Sequence, residues 1–111
     1  MISEIINKPW GSETIWARTD KYVGKLLYIN NGHRLSLQYH NIKDESMRVL
    51  KGILTFVLDN KTFILNEGEN IHVLPGQIHR MEANDGDVTI IEVSTSELND
   101  IVRLDDDYLR A

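Results

Sequence analysis

What most constrains the fold of this chain is a succession of short extended runs with no room between them for helices. Runs of mainly β-branched, aromatic and aliphatic residues cover roughly Glu13 to Ala17, Tyr22 to Ile29, Arg34 to Tyr39, Met47 to Leu50, Leu54 to Leu58, Thr62 to Leu65, Asn70 to Leu74, His79 to Glu82 and Val88 to Ser94. Turn-forming clusters separate them, among them Asn30-Asn31-Gly32, Asp59-Asn60, Glu67-Gly68 and Asn84-Asp85-Gly86-Asp87. Such a series predicts an all-β sandwich or barrel and not a βαβ arrangement. Asp59-Asn60, flanked by two apolar runs, predicts a two-residue hairpin turn. Helix is expected only as short turns near the C-terminus, at Ser96 to Asn99 and Asp105 to Tyr108. There the acids Asp105 to Asp107 would suit the positive end of a backbone dipole.

A length of 111 residues with 41% hydrophobic content predicts one domain, residues 1–111, built on one core. The net charge of -5, without any run of Lys or Arg, argues against nucleic acid or an anionic membrane as partner. With no cysteine in the chain, a bound metal would have nitrogen and oxygen ligands only. No stretch approaches the roughly 18 consecutive apolar residues of a membrane helix, and the N-terminus carries Glu4 and no long apolar run. The expectation is a soluble, unexported, cytoplasmic protein.

Chemistry concentrates between Gly32 and Gly52. In an extended strand Arg34, Ser36, Gln38 and His40 share one face, and Leu35, Leu37 and Tyr39 the other. Gln38 and His40 would then aim the same way, with Glu45 close behind in sequence; an amide oxygen, an imidazole and a carboxylate are all ligands for a divalent metal. His79, just beyond the Pro75-Gly76 turn, can supply a fourth ligand. The same alternation also describes an ordinary strand with its polar face in water. Lys25 alternates with Val23, Leu27 and Ile29, which places it either at an opening of the core or in a site, because an unpaired buried ammonium is costly. Snorkelling at a sheet edge is the plainer alternative. Arg34 and Ser36 offer a guanidinium fork and a hydroxyl that match phosphate or sugar oxygens, or else face solvent. Glu92, within Ile90-Ile91-Glu92-Val93, reads as a buried acid-base group or as the partner of a nearby cation. Trp10 and Trp16 would cover one end of the barrel or a dimer contact.

Gly32, Gln38, His40, Glu45 and Gly52 fall on the spacing of the first cupin motif, G(X)5HXH(X)3-4E(X)6G, with Gln38 in place of the first histidine. Gly68, Gly76 and His79 resemble the second, G(X)5PXG(X)2H(X)3N, from which Leu74 and Ala83 depart. Arg34-Leu35-Ser36-Leu37-Gln38-Tyr39-His40 is similar to the Arg-Leu-Ser-Leu-Gln-x-His segment of phosphomannose isomerases, where glutamine joins the metal shell. Lys8-Pro9-Trp10-Gly11, Ile90-Ile91-Glu92-Val93 and Asp100-Ile101-Val102-Arg103, with Asp106, Tyr108 and Arg110, resemble the cupin isomerase domain fused behind mannose-1-phosphate guanylyltransferases. Leu109 stands where that family has glycine. No glycine-rich phosphate loop opens a strand-to-helix unit, so the expectation is a free-standing cupin.

The resemblance implies a double-stranded β-helix, or jelly-roll barrel, and a divalent metal held by Gln38, His40, Glu45 and His79. Zinc is the first choice, with iron, manganese or cobalt as alternatives. It implies interconversion of mannose 6-phosphate and fructose 6-phosphate, with Lys25 or Glu92 as general base. Substrate contacts would come from Arg34, Ser36, Arg80, through the family's His-Arg pair, and Arg103, closing over the cup. A homodimer is expected, since cupins commonly pair and the strands of Phe56 and Phe63 are apolar on both faces. Against this stand a metal-bearing cupin that binds a sugar or other small ligand without catalysis, an iron dioxygenase, and a metal-free deoxysugar epimerase.

Overall fold

The computed structural model describes residues 3–110. Among the described residues eleven strands follow one another: β1 (Glu4–Lys8), β2 (Gly11–Arg18), β3 (Tyr22–Ile29), β4 (Leu37–Tyr39), β5 (Glu45–Lys51), β6 (Leu54–Leu58), β7 (Lys61–Leu65), β8 (Asn70–Val73), β9 (His79–Glu82), β10 (Val88–Thr95) and β11 (Val102–Asp105). They form two antiparallel sheets, ordered β1-β2-β3-β10-β5-β8 and β11-β4-β9-β6-β7. From β3 onward the chain crosses to the other sheet at every connection except the β6–β7 hairpin, the winding of a double-stranded β-helix. The all-β cupin architecture expected from the sequence is the one observed.

Local chemistry accounts for the corners. Asp59 and Asn60 both have positive φ, 48° and 67°, the conformation a two-residue hairpin needs, and Leu58 pairs Lys61 across it. Gly52 has φ of 89°, and a Cβ there would lie 2.4 Å from the Asp87 carbonyl oxygen, so only glycine fits.

Between the sheets, Leu27, Ile29, Met47, Val49, Val88 and Ile90 meet Leu35, Leu54, Phe56 and Met81 in one buried cluster. Inward-facing positions change character along the strand axis. On β5 they run Val49, Met47, Glu45, and on β10 Val88, Ile90, Glu92, Ser94, all of them buried. One end of the sandwich is therefore hydrocarbon and the other a polar cup. Trp10 is buried against the core and reaches that cup, whereas Trp16 is exposed on the outer face. There it covers Gly24, where a Cβ would come within 2.6 Å of its ring.

Three sequence expectations need correction. The C-terminal helical turns do not form: Ser96–Asn99 is a bend and turn, Asp105 is still in β11, and Asp107–Tyr108 is a turn. The acidic run is divided among three arginines instead of capping a helix. Asp105 pairs Arg80, Asp106 pairs Arg110 and Asp107 pairs Arg34. Asp106 also accepts the backbone N–H of Tyr108 and of Arg110, closing the turn. Two strands, β1 and β11, were not legible, because each is an edge strand defined by its partner, β1 on β2 and β11 on β4. Of the run Arg34 to Tyr39 only Leu37–Tyr39 is strand, with Arg34 bridging Glu82 alone.

Candidate metal centre

Three elements deliver the ligands. His40 directly follows β4, Glu45 opens β5 and His79 opens β9, so the two sheets each contribute to one point in the cup. Their ligand atoms lie within 4.8 Å of one another, and all three side chains are buried. His40 Nε2 is 3.2 Å and His79 Nε2 3.0 Å from Glu45 Oε1. Neither ring nitrogen makes a directed hydrogen bond.

The far side of each ring explains this. His40 Nδ1 donates to the Asp100 carbonyl at 2.5 Å, and His79 Nδ1 to the Gln77 carbonyl at 3.0 Å. A neutral imidazole that donates from Nδ1 presents a lone pair at Nε2. Two lone pairs aimed at a carboxylate repel unless a cation lies among them, and a divalent metal satisfies all three at once. The donor set of two imidazoles and a carboxylate fits zinc and the neighbouring transition ions.

The second-motif turn builds the site as well as bordering it. Gly76 N–H donates to the His40 carbonyl at 2.7 Å, and Gln77 in the same turn supplies the acceptor for His79. Leu74, where the motif has proline, is held by its N–H to Gln77 Oε1 at 2.8 Å. The loss of that proline leaves the turn intact. The His79 ring also stacks on Phe56, centroids 6.1 Å apart.

Gln38 is buried, pairs His79 across β4 and β9, and lines the same cavity as His40. Its Oε1 accepts the Ser36 hydroxyl at 2.7 Å, which fixes the amide and gives Ser36 a supporting place behind it. Lys25 and Glu92 are buried cross-strand neighbours on β3 and β10, and both line the cavity. Lys25 pairs Glu13 at 3.4 Å. Burial first, then the charge of Glu45, pushes the Glu92 carboxyl above its ordinary range.

Sequence reasoning missed Lys43, which is buried with its Nζ 3.1 Å from Glu45 and 3.8 Å from Glu92. Burial disfavours its ammonium, but Glu92 and Glu45 outweigh that and raise its pKa. Lys43 lies in a loop, where strand alternation offers no signal.

A cavity of about 110 Å³ opens beside the ligands, and its charged lining is Lys8, Lys25, Lys43, Arg103 and Arg110 against Glu92. A locally cationic cup in an acidic protein draws anions more strongly than the rest of the surface does. Arg103 lines it from β11. Arg34 and Arg80 do not line it. Arg34 forms a two-bond fork with Asp107 at 2.8 and 2.9 Å, and Arg80 spans from the Leu35 carbonyl to Asp105. Lys8 and Arg110 were legible only as members of family-like segments and not as cavity residues, since the tertiary fold alone brings the two ends of the chain to this mouth. His33 and His72 lie elsewhere, bonded to Tyr108 and Asp44.

Residues 2–106 match the family described as mannose-6-phosphate isomerase C-terminal. The chain belongs to that family. Among relatives of the family, alginate biosynthesis protein AlgA of Pseudomonas aeruginosa is 34% identical over 110 residues, covering 95% of this chain and 23% of its own length. A mannose-1-phosphate guanylyltransferase of Escherichia coli is 31% identical over 110 residues, again with 95% and 23% covered. The chain thus spans about a quarter of the length of these relatives. Among solved structures, an RmlC-like cupin from Shewanella frigidimarina superposes with a TM-score of 0.80 at 14% identity, covering 87% of this chain and 86% of that one. KdgF from Halomonas gives 0.80 at 16%, covering 86% and 88%. These structures share the family's fold, a cupin, and the family makes this an isomerase-like domain.

Proposed function

We propose that this chain is a metal-dependent aldose-ketose isomerase that interconverts mannose 6-phosphate and fructose 6-phosphate. The observation that carries the reading is the convergence of His40, Glu45 and His79, with their lone pairs turned inward, beside a cationic cavity that also holds Glu92. Gln38 completes the ligand set in this proposal, and zinc is the preferred ion. A divalent ion bound there supplies a Lewis acid for the sugar's carbonyl oxygen.

The protein's own groups do the rest. Glu92, its pKa raised by burial, takes the proton from C2 of the open-chain aldose; the C–H electrons form the C1–C2 double bond and the former carbonyl oxygen gains negative charge. Returning that proton to C1, while the O2 hydroxyl proton passes to O1, leaves the ketose. Lys43 pairs with both Glu92 and Glu45 and offsets their mutual repulsion, and Lys25 orients Glu92 from the neighbouring strand. Lys8, Arg103 and Arg110 at the mouth bind the phosphate. Arg34 and Arg80 serve as ties between β4, β9 and the terminal segment.

The experiment is incubation with fructose 6-phosphate in deuterated buffer across several divalent ions, following exchange at C1 and C2 by NMR. Metal-dependent exchange with conversion to mannose 6-phosphate supports the reading, and its absence in fully metal-loaded protein refutes it. One observation favours a second reading, a metal-bearing cupin that binds a smaller anion without catalysis. The cavity of about 110 Å³ is below the roughly 300 Å³ at which small-molecule pockets usually begin. Tight anion binding with no exchange would select it. A homodimer is part of the proposal, formed through the outer face of the six-stranded sheet where Trp16, Tyr22 and Val93 are exposed; Phe56, by contrast, is wholly in the core. Sedimentation equilibrium tests it.

A further inference from the structure

Four residues, Asn41 to Asp44, separate the ligands His40 and Glu45 and belong to no strand. A metal site needs this loop to have one shape, because it sets the distance and angle between two donors. Its shape comes from the segment after β10. Asp100 Oδ1 accepts the N–H of Asn41 at 3.0 Å, and Oδ2 accepts those of Ile42 at 2.7 Å and Lys43 at 2.9 Å. The Asp100 carbonyl takes His40 Nδ1. At the loop's other end Thr95 exchanges bonds with Asp44, its hydroxyl accepting at 3.1 Å and its N–H donating at 3.0 Å.

We propose that Asp100 is the positioning residue of the metal centre: its carboxylate anchors the loop so that its own carbonyl holds the His40 ring with Nε2 facing Glu45. This rests on the metal-site reading above. Removing the carboxylate leaves the carbonyl in the chain but frees it to drift, and His40 then loses the partner that sets its tautomer and ring plane. Thr95 grips the same loop without touching His40, which makes it the control for loop stability alone.

The test is cobalt(II) titration of the full chain, with affinity from chelator competition and ligand geometry from the visible d–d bands. Asp100→Ala is expected to weaken cobalt about 10–100-fold and to move the bands toward those of His40→Ala. Asp100→Asn, which keeps one acceptor oxygen, should fall between it and wild type; it carries the test alone if the alanine variant does not fold. Thr95→Ala should lower the melting temperature and leave the bands unchanged. Wild-type affinity and bands in both Asp100 variants would overturn the proposal while leaving the metal site standing, and so would a Thr95→Ala variant that reproduces the Asp100→Ala spectrum. A wild-type chain that takes up no cobalt would overturn both.

Discussion

Replacing Lys43 with methionine in protein stripped of metal isolates the electrostatics of the cup. The side chain keeps its volume and loses the one charge facing both Glu45 and Glu92, 3.1 and 3.8 Å away. At an effective dielectric near 20 those separations correspond to about 5 and about 4 kcal/mol of gross attraction, part of which is offset by desolvating the ammonium. Breaking a buried pair by deleting one partner leaves a net loss of about 3–5 kcal/mol. For a domain of this size that lowers the melting temperature by roughly 12–20 °C. The sign with pH follows from the directions of the shifts. Lys43 is raised, so its contribution is full below the ordinary lysine value of about 10.4 and is lost as pH rises through the folded value. Glu92 is also raised, so its cost appears as pH climbs above the ordinary glutamate value of about 4.3, and losing Lys43 enlarges that cost. Lys43→Met should therefore be most damaging near neutrality and less so on mild acidification, by about 1.4 kcal/mol for each pH unit over which the folded state holds the extra proton. Urea denaturation of both proteins in EDTA at pH 7.5 and 5.5 measures this. A variant within about 1 kcal/mol of wild type at pH 7.5, with the same pH slope, would refute the reasoning.

Other outcomes follow from the same geometry. Phe56→Ala should cost about 3–5 kcal/mol by denaturant titration, and because the ring stacks on His79 it should also broaden the histidine's NMR resonances. Glu92→Gln should abolish C2 hydrogen exchange while metal affinity by competition stays near wild type; retained exchange would move the base to Lys25. Arg34→Ala should change stability by no more than about 1 kcal/mol and leave substrate KM unaltered, since its pair with Asp107 is exposed and outside the cavity. Asp106 is held at about 2 by its bond to Arg110, so the terminal turn should keep its amide protection above the ordinary aspartate value of about 3.9. That protection should be lost as pH falls through 2, read by hydrogen exchange at Leu109 and Arg110.

Legibility from sequence divides by the range of the interaction that carries each feature. The hairpin at Asp59-Asn60, the convergence of His40, Glu45 and His79, and the inward placement of Lys25 and Glu92 were readable because turn chemistry, motif spacing and strand alternation are local. The roles of Arg34 and Arg80 were not, because alternation reports which face a side chain takes and not which acid waits there. The residues Asp105 to Asp107 resembled a helix start for the same reason, although their arginines lie 4 to 73 positions away. Lys43 left no trace and Asp100 showed only as part of a family-like segment, since each acts from a loop on groups that only folding makes neighbours.

From sequence alone came the strand succession, the absence of thiolate chemistry and the candidate metal donors His40, Glu45 and His79, all properties of residue type and near-neighbour spacing. Only the tertiary structure decided which cations face the cavity, which carboxylate lies next to the ligands, and what holds the loop from Asn41 to Asp44. Those depend on two sheets closing on one another, and side chains far apart along the chain acquire their electrostatic partners only when that closure has excluded the water between them.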